Sequence, residues 1–131
     1  MLAKKSLISI VDDDRLVREA IACLLRAYGF KPEAFASAAS FLSSDARHRT
    51  DCLIADVQMP GMSGIELFSQ LVASGEAVPT ILVTAYADER DRRRALRAGV
   101  QSYLSKPFDE GQLLACVQAA LETQWRDGSS Q

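Results

Sequence analysis

The chain has one histidine, one tryptophan, three cysteines and four prolines among its 131 residues, and each scarcity removes a class of chemistry. A single histidine, His48, set in the polar segment 43–51, supplies neither a zinc ligand set nor a histidine catalytic pair, and reads as a solvated loop residue. Cys23, Cys52 and Cys116 stand far apart with no C-x-x-C spacing. That excludes a disulfide framework and a cysteine metal site, and their apolar neighbours predict buried, reduced thiols. No apolar run approaches the length of a membrane span, and Met1-Leu2-Ala3-Lys4-Lys5 leads into too few apolar residues for a signal peptide. The expected location is the cytoplasm, with no membrane partner. The net charge is −2, so the basic excess that direct nucleic-acid contact demands is also missing.

What is present is an ordinary globular composition, 48% hydrophobic and 24% charged, in a length that supports one domain with a substantial core. That domain is expected over residues 6–122. Residues 123–131, ending Arg126-Asp127-Gly128-Ser129-Ser130-Gln131, read as a disordered tail or the start of a linker. Within the domain the apolar pattern switches repeatedly between short continuous runs and helical stripes. Runs at 6–11, 31–35, 52–56, 79–84 and 100–104 predict strands. Val17, Ala20, Ile21, Leu24 and Tyr28 form a helical face that Asp14 caps and Gly29 stops. Ile65, Phe68, Leu71 and Val72 form another behind Ser63-Gly64-Ile65-Glu66, the spacing of a capping box. Leu113, Leu114, Val117 and Leu121 form the last, opened by Asp109 and Gln112, and shorter helices are expected around Phe41-Leu42 and Ala95-Leu96.

Five alternations of strand and helix predict an α/β fold, a (βα)5 three-layer sandwich around a parallel sheet. Four runs are apolar throughout, as strands covered on both faces must be. Lys31-Pro32-Glu33-Ala34-Phe35 is polar and carries a proline, which suits an edge. The flavodoxin-like order 2-1-3-4-5 puts it there, and it opens a crevice beyond the carboxyl ends of strands 1 and 3.

Five polar residues fall at those carboxyl ends. Asp12 and Asp13 follow the first run, Asp56 ends the third, Thr84 ends the fourth, and Lys106 follows the fifth. Each pair of carboxylates about 4 Å apart repels by about 4 kcal/mol at an effective dielectric near 20, so the cluster needs a countercharge. Oxygen ligands without histidine or cysteine point to a hard cation, Mg²⁺ first and Mn²⁺ as the alternative. A phosphoryl group accounts for Lys106 and Thr84, with Asp56 as the nucleophile. Taken singly, the features have plainer explanations. Asp12-Asp13-Asp14 suits a helix N-terminus, Lys106 a surface turn, Thr84 a polar strand end and Tyr103 a core aromatic. Their joint placement does not.

At these residues the chain resembles the receiver domain of two-component response regulators. The resemblance is carried by Val11-Asp12-Asp13-Asp14, Asp56-Val57-Gln58-Met59-Pro60-Gly61-Met62-Ser63-Gly64, Thr84-Ala85 and Tyr103-Leu104-Ser105-Lys106-Pro107-Phe108, and it spans 6–122. It implies Asp56 as phospho-acceptor, with Asp12, Asp13, Asp56 and the Gln58 backbone carbonyl around the metal. It gives Lys106, the Thr84 hydroxyl and the Ala85 N–H to the phosphoryl oxygens, and a cis peptide to Lys106–Pro107. Thr84 and Tyr103 would form a switch, the hydroxyl moving toward the phosphoryl group and the ring entering from an outward position. The Gln58 side chain would face the phosphoryl group, and Gln58 and Tyr86 would tune its lifetime.

The resemblance also implies a phosphohistidine donor on a histidine kinase or histidine phosphotransfer protein, and output through the face made by the fourth helix, fifth strand and fifth helix. Its Met-Pro-Gly-Met-Ser-Gly and Lys-Pro-Phe segments are most similar to receivers of nitrogen-fixation and nitrate regulators, which usually precede a helix-turn-helix domain, so transcription is the expected output. The charged stretch 88–97 reads as a solvated face with internal acid–base pairs, or as an electrostatic surface for a phosphorylation-dependent homodimer through the fourth helix and fifth strand or for an acidic partner. Two other functions compete. An aspartate-nucleophile phosphatase needs a general acid where Gln58 stands, and a phosphorylation-independent interaction module has no use for an intact site. The expectation is a switch that catalyses only its own phosphorylation and dephosphorylation, not an enzyme acting on outside substrates.

Overall fold

The apolar runs become the strands of one parallel sheet in the computed structural model, which describes residues 5–129. They are β1 (Leu7–Val11), β2 (Lys31–Phe35), β3 (Cys52–Asp56), β4 (Thr80–Thr84) and β5 (Ser102–Ser105). The order is β2-β1-β3-β4-β5, the flavodoxin-like arrangement expected from the pattern. Between them run α1 (Arg15–Ala27), α2 (Ala38–Ser43), α3 (Gly64–Ala73) and α4 (Glu89–Ala98), and α5 (Glu110–Ser129) follows.

Alternate residues of the central strands feed two cores, as a pleated strand with side-chain period two requires. Ile8, Ile10, Ile54, Ile81 and Val83 pack with Leu25 of α1 and Leu113 and Val117 of α5. Val11, Leu53 and Leu82 face the other way, onto Phe41 of α2, Leu67 and Leu71 of α3, and Ala95 of α4. The buried Ser9 hydroxyl is satisfied within this packing, 2.6 Å from the Thr50 hydroxyl, which in turn donates to the Ala46 carbonyl. β2 pairs only with β1, so its exposed Lys31 and Ala34 and its Pro32 lie at the sheet's edge.

The expected caps hold the helices in place. The Asp14 carboxylate accepts from the Leu16 and Val17 N–H groups, and the Ser63–Glu66 box is closed in both directions. Asp109 accepts from the Gln112 N–H at 3.1 Å. Gly64 has a further role. A Cβ there would stand 2.4 Å from the Asp56 carbonyl oxygen, so only glycine lets α3 begin against the end of β3.

Four local expectations need correction. Cys23 is exposed, because it lies on the outer side of α1 from Leu25; Cys52 is buried and Cys116 half-buried, and all three are free thiols. Burial pushes the Cys52 thiol up to about 12, which keeps it protonated and inert. His48 is exposed, as expected, but it lies in a 3-10 turn (Asp45–His48) rather than a loop, with its Nδ1 2.7 Å from Glu76. Glu76 also holds Arg47. β5 begins at Ser102 rather than at residue 100, because Gly99 and Val100 close α4 through the Leu96 and Ala95 carbonyls, and Gln101 first reaches β4 at the Thr80 carbonyl. Finally, α5 runs past residue 122 to Ser129, across most of the stretch read as a tail.

No helix of the described residues is long and apolar enough to cross a membrane.

Candidate functional site

All five polar residues from the strand ends come to one edge of the sheet, and two of the three acids are buried. Asp12 is 1% exposed and Asp56 6%, while Asp13 is open to solvent. Carboxylate oxygens of the three lie within 4.8 Å of one another. Register explains the meeting. β1 and β3 are adjacent, with Val11 opposite Ala55, so the next residues on the two, Asp12 and Asp56, emerge side by side.

Both buried carboxylates are held at both oxygens. Asp12 Oδ1 accepts from the Asp14 N–H at 2.8 Å, and Oδ2 from Lys106 Nζ at 3.0 Å. Asp56 Oδ1 accepts from the Gln58 N–H at 3.2 Å, and Oδ2 from the same Lys106 Nζ at 3.3 Å. Lys106 arrives on the loop after β5, ahead of a cis bond to Pro107. Burial alone would lower its pKa, but hydrogen bonding and charge from Asp12, then Asp56, outweigh that and leave it above the ordinary lysine value.

Asp56 shows the opposite balance. Burial and then the Asp12 charge raise its pKa, and Lys106 and the Gln58 N–H offset only part of the rise. One ammonium therefore does not neutralise this cluster, which retains a preference for more positive charge. Three oxygen donors without nitrogen or sulfur, one of them solvent-open, fit a hard divalent cation that keeps part of its water shell.

Thr84 and Tyr103 form the other half of the site. Thr84 is fully buried. Its hydroxyl accepts from the Tyr86 N–H at 3.0 Å and donates to Gln58 Oε1. Ala85, next to it, is exposed and small, while Tyr86 is 74% exposed. The Tyr103 ring is not outside; it is 9% exposed, inside the cluster of Leu82, Ala95 and Val100. Its buried hydroxyl makes no well-formed hydrogen bond among the described residues, the Asp88 N–H being its nearest donor. Burial, followed by the Asp91 charge, raises its pKa.

Three features were absent from the sequence reasoning. Arg18 of α1 donates from Nη1 to the Asp12 carbonyl at 2.8 Å, fixing the backbone beneath the acids; no motif signals an arginine six residues on. The Gln58 side chain turns to Thr84, a conformer no spacing rule specifies. An apolar groove of about 520 Å³ adjoins Lys106, lined by Val17, Ile21, Leu24 and Phe108. The helical stripe named the first three as one face, and that face both packs on the core and lines the groove. On α4, Glu89 pairs with Arg92 and Arg93, whereas Arg90, Arg94 and Arg97 have no ion-pair partner among the described residues. Internal pairing thus covers only part of that face.

Known proteins share this sequence pattern and fold. Residues 8–118 match the family model described as the response regulator receiver domain. The response regulator protein TodT of Pseudomonas putida is 40% identical over 122 residues, covering 93% of this chain and 54% of TodT. The transcriptional regulatory protein FixJ of Azorhizobium caulinodans is 37% identical over 114 residues, covering 87% of this chain and 54% of FixJ. The chain thus spans about half the length of these relatives. Among solved structures, the response regulator StyR superposes with a TM-score of 0.88 at 38% identity, covering 97% of this chain and 64% of that one. Matching strand order, acid cluster and sequence agree, and the chain belongs to the receiver domain family of two-component response regulators.

Proposed function

We propose that this receiver accepts a phosphoryl group on Asp56 from a phosphohistidine of a histidine kinase or histidine phosphotransfer protein. The observation that carries the proposal is the Asp12–Asp13–Asp56 cluster bridged by a single ammonium. An Asp56 oxygen forms a bond to phosphorus as the donor's N–P bond breaks and its electron pair returns to the imidazole. Lys106 takes charge from the transferred oxygens, and the Thr84 hydroxyl and the Ala85 N–H receive another of them. Asp12, Asp13, Asp56 and the Gln58 carbonyl would hold Mg²⁺, or Mn²⁺ in its place. The bound cation supplies charge neutralisation that the lysine leaves incomplete.

The groove beside Lys106 is suited to the donor. It is open and mostly apolar, and Lys106 and Glu110 are the charged residues in its lining. A partner helix seated there would bring its phosphohistidine to the acids without a catalytic group from this chain beyond those named. Gln58 and Tyr86 flank the acceptor and would set how readily water reaches the aspartyl phosphate.

Output would pass from Thr84 through Tyr103 to the face of α4, β5 and α5. Residues 6–122 would carry the receiver, and 123–131 would lead toward an output segment. FixJ's designation as a transcriptional regulatory protein supports transcription as the output. The unpaired Arg90, Arg94 and Arg97 support an electrostatic contribution to a phosphorylation-dependent homodimer through α4 and β5. Raising salt should then weaken dimerisation of the phosphorylated chain in sedimentation experiments.

Acetyl phosphate with Mg²⁺, followed by intact mass, tests the central step. The wild type should gain one phosphoryl mass and Asp56→Asn none. Catalytic turnover of the donor without a modified protein would favour a phosphatase, and no modification at all would favour a plain interaction module.

A further inference from the structure

Without a phosphoryl group, the Thr84 hydroxyl is already committed toward the acid cluster and the Tyr103 ring is already inside. We infer that the Gln58 side chain is a positioning residue, a built-in acceptor that takes the place of a phosphoryl oxygen and holds Thr84 and Tyr103 in the ring-in arrangement before phosphorylation. This rests on the proposed receiver switch, in which those two residues move together.

Three observations carry it. A hydroxyl has one proton to donate, and Thr84 gives its proton to Gln58 Oε1 while the Tyr86 N–H donates to the oxygen. Both roles are filled by protein groups. Next, Thr84 and Tyr103 compete for space. Leu82 is paired with Tyr103 in the β4–β5 register, and Thr84 lies two residues beyond Leu82 on the same face. Diagonal neighbours on adjacent strands share volume, so a Thr84 side chain released toward β5 would crowd the ring. Lastly, the Tyr103 hydroxyl is only weakly anchored: it is buried without a well-formed hydrogen bond, with the Asp88 N–H as its nearest donor. The ring's position is therefore set by packing on Leu82, Ala95 and Val100 and by where Thr84 stands.

Phosphorylation would then exchange one acceptor for another. Thr84 leaves Gln58 Oε1 for a phosphoryl oxygen, and the ring keeps its place beside the start of α4. The resting chain would be biased toward its output surface, and the identity of residue 58 would set the size of that bias.

Chemical nitration of tyrosine measures it, read residue by residue by peptide mass after tetranitromethane treatment of the whole chain. Tyr28 and Tyr86, 60% and 74% exposed, are internal controls that should nitrate in every sample. Tyr103 should be shielded in the unphosphorylated wild type. Gln58→Leu removes the acceptor from an exposed loop position, and Tyr103 nitration should rise about fivefold, as loss of one hydrogen bond predicts. Gln58→Glu retains an acceptor oxygen and should restore shielding. Treating Gln58→Leu with acetyl phosphate and Mg²⁺ should also restore it, in the fraction whose mass shows phosphorylation.

Equal shielding in wild type and Gln58→Leu would overturn the inference, as would ready nitration of Tyr103 in the resting wild type. A phosphorylated Gln58→Leu that stays reactive would overturn the exchange of acceptors. Failure of the wild type to take a phosphoryl group would instead sink the receiver-switch proposal, while the donor-free comparison would still decide whether Gln58 holds the ring.

Discussion

The β1–β3 half of the site and the β4–β5 half are built to opposite rules. On β1 and β3, each oxygen of Asp12 and Asp56 has a donor, and one lysine serves both residues. On β4 and β5, Thr84 spends its one proton on a neighbouring side chain and Tyr103 has no well-formed hydrogen bond. The difference follows from charge. Leaving a buried carboxylate unpaired costs several times more than leaving a hydroxyl unpaired. The charged half is therefore pinned, and only neutral hydroxyls can change partners within thermal reach. A switch placed among the acids would be locked; placed at the hydroxyls, it moves.

The sharpest way to break that contrast is to remove the shared cation. Lys106→Ala leaves two buried carboxylates facing each other, and unpairing a buried ion pair costs about 3 kcal/mol or more. Urea unfolding without divalent metal should show a loss of that order. Adding Mg²⁺ should recover much of it, because a cation bound to the folded chain alone stabilises it by mass action. A loss below about 0.5 kcal/mol, the size of an ordinary surface change, would mean that water rather than Lys106 balances the acids. The pinned half would then be a misnomer.

A smaller effect, of opposite sign, is expected at the acceptor. The pKa of Asp56 is raised by burial and by Asp12, so its ionised form opposes folding. In strong acid the residue is protonated in both states and contributes nothing. As pH climbs through the raised value, the folded chain bears a cost that the unfolded chain does not. Asp56→Asn should therefore melt higher than the wild type at neutral pH without metal, by about 4 °C, the shift that ~1 kcal/mol produces in a domain between about 100 and 150 residues. The gap should close in acid and shrink when Mg²⁺ is added. A gap constant from acid to neutral pH would assign the gain to packing instead of charge.

The same division decided what was legible in the chain itself. Asp12, Asp56, Thr84 and Lys106 were found because apolar runs stop at them, and strand ends are backbone features written in hydrophobic period. The edge position of β2 was readable from Pro32, and the starts of α1 and α3 from Asp14 and Ser63, because these effects are local. Side-chain partners were not readable. Whether Gln58 turns to a phosphoryl group or to Thr84, and whether Tyr103 lies in or out, depends on rotamers chosen by tertiary contacts. Cys23 was misjudged for a related reason. Its neighbours Ala22, Leu24 and Leu25 face inward wholly or in part, but one step of a helix turns the side chain by about 100°.

The finest test falls on the movable half. Tyr103→Phe deletes a buried hydroxyl that has no well-formed hydrogen bond and leaves the ring to pack on Leu82 and Val100. Most deletions of buried polar atoms strand a partner; this one loses only a poorly aligned approach of the Asp88 N–H. Stability should stay level or rise by up to about 1 kcal/mol, and alkaline titration separates the cause. The phenol's pKa is raised above its ordinary 10.0 by burial, then by Asp91. Its neutral form therefore supports the fold below that value, and the support is lost as pH rises through the raised one, where the unfolded chain ionises first. Phenylalanine carries no such liability. Relative to the wild type, Tyr103→Phe should gain stability steadily above pH 10, while titrations shared by both chains cancel in the difference. Equal alkaline losses in the two would mean that the hydroxyl is hydrated in solution, and that the ring spends much of its time outside.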